Sequence, residues 1–339
     1  MPQTAINLSV DFIFPRLHGL WAKSFFGDRL NVLVRGGLDG FGRALSDRDV
    51  QVTHRTEVQK RLTVHFIQEL AGVRRFLSSG LVDFYEAFIR RYFYEDIKSV
   101  VRGWHRGEPN EELRDLLILS DEFPELPVEK MLSAKNVNQF YRLFPEAKLR
   151  EAMLPILVEL EDRDDVWLAE SRIDRLMMAE FHAAASGLRG KGKRVARRLV
   201  GQEIDIENII LLLRKNSVAD FPLDRLESFV LDNGFELDKG RVLELAKLES
   251  WNDVVERLPS QYAGILKKSF DSEPHQIENG LWCGFHKVLT DLFRDFNQPV
   301  MSAVVFPYMK RFEVMNLARV FEGLHLGLDP QFIHSILVR

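Results

Sequence analysis

Along almost the whole chain the apolar residues return every three or four positions, the spacing of one face of an α-helix. Runs of alternating β-branched residues and Asn-Gly or Asp-Gly hairpin turns are scarce. The pattern predicts an all-α fold. Helix punctuation agrees: Ser46 and Asp47 precede one candidate helix, Asn110 with Glu111 and Glu112 opens another, and Asp329-Pro330 is an N-cap followed by proline at the first helical position. Arg172 to Ala185 reads as a helix with Ile173, Leu176, Met177 and Phe181 on one face. Breaks are expected at 103–110, 121–127, 187–193, 232–240, 271–274 and 323–330.

One helical pattern returns at a long, even interval. Ile97, Val100, Val101 and Trp104 form an i, i+3, i+4, i+7 stripe, as do Ile206, Ile209, Ile210 and Leu213, and again Val314, Leu317, Ala318 and Phe321. The starts lie 109 and 108 residues apart. An acid precedes each stripe (Asp96, Asp205, Glu313), and a small polar residue holds its third position (Ser99, Asn208, Asn316). Helix-opening signals follow at Asn110, Asp220 and Asp329. Three similar helical units result, approximately 1–120, 121–225 and 226–339, with boundaries left open because helices can be exchanged between units. The acid and the Ser or Asn fall on the flank opposite the stripe. In a rough threefold arrangement such flanks would line a shared polar concavity, although both residue types also favour first helical turns as caps or surface residues.

Composition narrows the function classes. At 339 residues, 46% apolar and 28% charged, the chain is suited to a large packed core and not to disorder. Forty-six Lys and Arg against fifty Asp and Glu leave a net charge of −4, so no overall field steers it to nucleic acid. One cysteine, Cys283, excludes an internal disulfide framework and a Cys-based zinc site and fits a reducing compartment. Asp11 interrupts the N-terminal apolar run, so Met1 to Pro15 is not read as a signal peptide. The longest aliphatic run, Ile209 to Leu213, is far short of the ~20 residues that cross a bilayer.

Candidate chemistry is sparse. Gly187-Leu-Arg-Gly-Lys-Gly-Lys-Arg194 matches the first seven positions of a phosphate-binding G-x-x-x-x-G-K loop but has Arg194 where Ser or Thr must ligate Mg²⁺, and a helix precedes it where a strand is required. A flexible linker is the plainer reading. Six cations between Leu188 and Arg198, with no acid among them, form the most basic segment; they suit an acidic partner, an anionic lipid surface, or simply a solvated helix face. The nine histidines include no H-x-x-x-H or H-E-x-x-H pair, and Cys283 reads as a small hydrophobe, not a nucleophile. The acids at 159, 161, 162, 164 and 165 look like a helix end running into a loop. No constellation demands an active site, a metal or a cofactor.

The repeated strings resemble a known family. Glu203-Ile-Asp-Ile-Glu-Asn-Ile-Ile-Leu-Leu-Leu-Arg214 and Tyr308-Met-Lys-Arg-Phe-Glu-Val-Met-Asn-Leu-Ala-Arg319, followed by Gly327-Leu-Asp-Pro-Gln-Phe-Ile-His-Ser-Ile-Leu337, are similar to the C subunit of the V/A-type rotary ATPases, known as the d subunit in the vacuolar enzymes. Phe84 to Arg102 looks like a first copy, with Ser99 where the others carry Asn; the likeness runs from about Arg16 to the end and is weakest at 1–15 and 36–42. The resemblance implies a non-enzymatic stalk subunit, three helical units forming a funnel that joins D/F-type rotor shaft subunits to the membrane proteolipid ring at the cytoplasmic face. Under that implication Asp96, Asp205, Asn208, Glu313 and Asn316 are expected on the shaft-facing concavity. Lys191, Lys193, Arg194, Arg197 and Arg198 are expected near an acidic partner or headgroup. The competing readings are a helical scaffold unrelated to ATPases and a phosphate-binding enzyme built on 187–193.

Overall fold

The computed structural model describes residues 10–48, 55–108, 110–217, 221, 223–267, 273–295 and 299–339, and among them every regular element is helical. The N-terminal stretch forms α1 (Val10–Trp21), α2 (Asp28–Ala44) and α3 (Arg55–Arg74) ahead of the long α4 (Ser79–Arg106). The short α5 (Asn110–Leu116), α6 (Val128–Leu132) and α7 (Val137–Tyr141) lead to α8 (Ala147–Arg163), α9 (Val166–Gly187) and a second long helix, α10 (Gly190–Ser217). After α11 (Leu226–Phe229), α12 (Lys239–Ala246), α13 (Trp251–Arg257) and α14 (Ser260–Leu266) come α15 (Pro274–Phe293), the long α16 (Pro299–His325) and α17 (Pro330–Ser335). The helix opening expected at Asp220, part of the break at 271–274, and residues 1–9 lie outside the described residues.

Local chemistry sets the ends of these helices. Asp329 accepts from the Gln331 amide at 2.7 Å with Pro330 at the first helical position, as its sequence predicts. The acidic cluster is a helix end: α8 stops at Asp164 in the left-handed region, and Asp165 caps α9 by accepting from Leu168 N at 3.0 Å. Left-handed Gly107 ends α4, and the Glu108 amide returns to Gly103 O at 2.9 Å to satisfy an orphan carbonyl. The break expected at 187–193 is shorter than its composition suggests, because Gly190 already begins α10.

The three striped helices, α4, α10 and α16, form the centre of the molecule. Ile97, Val100, Val101, Ile206, Ile209 and Ile210 are at most 2% exposed, each contributing roughly 1.5–3 kcal/mol relative to exposure. In α16 the buried face is rotated: Leu317 and Phe321 are buried, Val314 is only partly so, and Phe312 and Val320 take its place. An aromatic junction joins α4, α9, α15 and α16, with Phe88 5.0 Å and Phe285 5.6 Å from the Tyr308 ring and Phe84 5.3 Å from Phe181. Tyr85 adds a hydrogen bond from its hydroxyl to Ala303 O at 2.8 Å.

Buried side chains run continuously across positions 120 and 225. One cluster extends from Ile13 to Val338, and a second joins Leu30, Leu33 and Phe41 of α2 and Val58 and Leu62 of α3 to Leu317, Val320 and Phe321 of α16. The N-terminal helices therefore pack on the C-terminal third, where they cover the face of α16 that its own neighbours leave open.

Candidate interaction site

The repeated polar residues are buried. Asp96, Asp205, Asn208, Glu313 and Asn316 are 0–2% exposed, where the flank pattern expects them to point out of the core, although Asn208 and Asp96 each also border a cavity. A surface helix keeps one solvent-facing flank. The middle of α10 is instead enclosed on nearly every side, from Leu199 through Asp205 to Ile210.

What these residues do is clasp a returning segment. Asn208 donates from Nδ2 to Leu231 O (3.0 Å) and accepts at Oδ1 from Leu231 N (2.9 Å). Asn316 repeats this on Val338, donating at 2.7 Å and accepting at 2.9 Å. In the first copy, where Ser99 replaces the amide, Asp96 takes over and accepts from Ile118 N (2.8 Å) and Leu119 N (3.0 Å). Each clasp thus holds backbone 22 or 23 residues further along the chain, in the segment that follows its long helix. Buried backbone groups need such partners. Asp205 makes a second hold in the middle copy, accepting from Glu236 N, Leu237 N and the Tyr262 hydroxyl at 2.8–3.1 Å.

The turn held by Asp205 leaves no room for a side chain at Gly234. A Cβ there would stand 2.2 Å from Leu237 O and 2.3 Å from Asp205 Oδ1. Gly234→Ala is expected to destabilise the protein by about 1–3 kcal/mol or more through this overpacking. Thermal unfolding of the variant measures it, and an unchanged midpoint would contradict the clasp.

Glu313 behaves differently from the two aspartates. Its Oε1 accepts from Phe25 N (3.0 Å) and Arg48 Nη2 (2.8 Å), and its Oε2 pairs with Lys310. Lys310 in turn reaches Glu69 at 2.8 Å and Ser24 Oγ at 2.9 Å. Burial alone would lift the Glu313 carboxyl, but Lys310 and Arg48 outweigh it and hold the group below its usual range. The cluster fastens to α16 both the segment after α1 and the turn that follows α2.

A second ionic group, outside the repeated pattern, ties the long helices to one another. Glu203 of α10 is wholly buried; Arg91 of α4 reaches its two oxygens at 2.6 and 3.0 Å, and Arg311 of α16 pairs with the same carboxylate. Burial opposes the charge on Glu203, and the two guanidiniums overcome it and lower its pKa. Glu203 and Arg311 occupy the same place, three residues before their stripes, and Tyr94 is the first copy's counterpart. Because that place differs in chemistry from copy to copy, it leaves no trace in the repeat. Their charges are the only sequence signal.

This tie borders a charged cavity of about 420 Å³. Arg91, Glu95 and Lys98 come from α4, Asp174 from α9, Glu207 and Arg214 from α10, and Arg311 from α16. Lys98 bridges Glu95 (2.9 Å) and Asp174 (2.8 Å). Of the repeated polar residues, Asn208 lines this cavity as well. Burial raises the Glu207 carboxyl to about 7, with nearby Glu203 adding to the shift and Arg311 opposing it. Between pH 4.5 and about 7 the folded protein therefore holds a proton that the unfolded chain has lost, so this group's contribution to stability decreases as pH rises through that window. Glu207→Gln should flatten the pH dependence of the unfolding midpoint there; an unaltered slope would count against it.

The basic segment is placed as its charges demand. Lys191, Lys193, Arg194, Arg197 and Arg198 are exposed on the first turns of α10, opposite buried Gly192, Ala196 and Leu199. The phosphate-loop alternative lacks its scaffold, since 187–193 joins two helices, α9 and α10, and no strand enters it. Among the described residues no group of three or more His, Cys, Asp and Glu side chains is placed to hold a metal ion, and no helix is long and apolar enough to cross a membrane. Cys283 is half-buried with Sγ 3.8 Å from Leu337 O, and His286 is buried against Phe26, burial lowering its pKa to about 4.

A family model described as "ATP synthase (C/AC39) subunit" matches residues 37–336, and the chain belongs to that family. It is similar to the C subunit of the A-type ATP synthase of Methanocaldococcus jannaschii, at 21% identity over 96% of this chain and 86% of that protein. The corresponding A-type ATP synthase C subunits of Haloferax volcanii (24% identity, 83% and 81% coverage) and Methanosarcina barkeri (24%, 74% and 69%) are similar as well.

Proposed function

We propose that this chain is a non-catalytic central-stalk subunit of a V/A-type rotary ATPase, lying peripherally at the cytoplasmic face. It couples D/F-type shaft subunits to the proteolipid ring and so transmits torque between ATP chemistry and ion translocation. Its three helical units, approximately 1–120, 121–225 and 226–339, are taken to surround a rough threefold axis as a funnel.

The observation that carries this reading, beside family membership, is the Glu203 tie across α4, α10 and α16. A coupling piece must turn as one body. Close-packed cores resist deformation, and a shared buried carboxylate resists sliding of one long helix past another. The charged cavity beside the tie offers walls of both signs, Lys98 and Arg214 against Glu95 and Asp174, which suits a polar shaft tip whose register must be fixed. Affinity purification of the tagged chain from detergent-solubilised membranes tests the assignment. Shaft and proteolipid subunits are expected to copurify, and recovery of the chain without either would refute it.

A further inference from the structure

The basic segment is more than a charged helix face. Lys193, Arg194, Arg197 and Arg198 line a cleft of about 650 Å³ together with the turn 233–235 and His182 of α9. Many arginines elsewhere in the molecule are matched: Arg90 with Glu146 and Glu180, Arg102 with Glu170, Arg175 with Asp232. Here six cations, Arg189, Lys191, Lys193, Arg194, Arg197 and Arg198, make no ion pair with any described residue, in a chain whose net charge is −4. Mutual repulsion of this size is retained at the positive end of a 28-residue helix, which itself attracts anions.

The turn is built, not incidental. Phe235 N donates to Gly201 O at 3.1 Å, and a Cβ on Gly201 would stand only 2.9 Å from that nitrogen. Asp205 holds the next two amides of the turn. These contacts keep Phe235 45% exposed at the mouth of the cleft, with the Arg198 guanidinium 5.5 Å from its ring centroid. An aromatic ring fixed beside free guanidiniums offers a planar or apolar group a surface while the forks take an oxyanion.

We infer that this cleft binds a phosphate-bearing ligand carrying two or more negative charges, its phosphoryl oxygens on Lys193, Arg194, Arg197 and Arg198 and its uncharged part against Phe235. The cleft is confined between three turns of one helix and one short turn, which favours a compact, densely charged anion over an extended acidic peptide. Phosphate can reach it as a free molecule or as a lipid headgroup. The site is independent of the stalk assignment and stands or falls apart from it.

The test uses the full chain with two phosphate probes. Inorganic pyrophosphate is titrated by calorimetry, and flotation compares vesicles containing phosphatidic acid, whose phosphomonoester can carry two charges, with vesicles of phosphatidylcholine. Saturable pyrophosphate binding identifies a free ligand, and flotation with the phosphatidic acid vesicles but not with phosphatidylcholine identifies a headgroup. In either case Arg194→Glu/Arg197→Glu is expected to weaken binding about 30-fold or more, and Phe235→Ala about 3-fold. Both alter exposed side chains, and circular dichroism checks that the helices persist. Binding of neither probe, or binding that the double charge reversal leaves intact, would overturn the proposal. Binding of poly-glutamate with no response to either phosphate probe would overturn it in favour of an acidic protein segment.

Discussion

Replacing Glu203 by alanine is expected to lower stability by about 3–5 kcal/mol, the cost of leaving buried charges unpaired, and to lower the unfolding midpoint by on the order of 4–7 °C. The carboxylate is wholly buried, and Arg91 and Arg311 both depend on it. Arg91 is only 11% exposed and has few other places to put its charge. The triple variant Arg91→Met, Glu203→Leu, Arg311→Met should recover most of the loss, because an apolar replacement removes the stranded charges together with the bond. Differential scanning calorimetry of the two variants decides between a tie of this kind and simple packing. If the single variant unfolds like the unaltered chain, the central carboxylate is not what holds α4, α10 and α16 together.

The second large effect is expected at Asn316. Its amide satisfies both the N–H and the C=O of Val338, so Asn316→Ala leaves two buried backbone groups without partners at a cost of about 2–4 kcal/mol. Asn316→Asp should be no gentler, since a carboxylate accepts from Val338 N but repels Val338 O. Asp96 makes the informative contrast. It accepts from two amides, so Asp96→Asn turns one acceptor into a donor facing an N–H, whereas the amides of Asn208 and Asn316 fit because each donates to a carbonyl. Amide exchange at Val338 reports the clasp directly. Fast exchange in Asn316→Ala and native protection in the parent are expected; equal protection in both would place the hold elsewhere.

Much of this molecule is legible in its sequence, and particular residues show why. The three stripes exist because a helix must bury one face, so Ile97, Ile206 and Leu317 announce themselves by spacing alone, and the cap at Asp329 follows from the orphan amide it satisfies. The acid and amide of the repeat are visible as well, but their surroundings are not. Spacing fixes which residues share a flank and says nothing of what another segment, 22 residues later, lays over it. The packing of α2 and α3 onto α16 is invisible for the same reason, since it joins residues more than 250 positions apart. Glu203 is hidden by the repeat itself: its equivalents are Tyr94 and Arg311, so pairing between copies depends on their being unlike. The basic segment is legible as charge. The turn beside it is not, because Phe235 reaches that segment only through Gly201 and Asp205.

If this chain is an inert mechanical link whose three long helices move as a unit, its removal must uncouple the complex without disabling the catalytic head. Ion translocation in liposomes reconstituted from the complex with and without this chain tests that role most directly. Without the chain, ATP hydrolysis should continue while ATP-driven ion uptake falls to background, and adding back the unaltered chain should restore uptake. Ion uptake that proceeds undiminished in its absence would contradict the role.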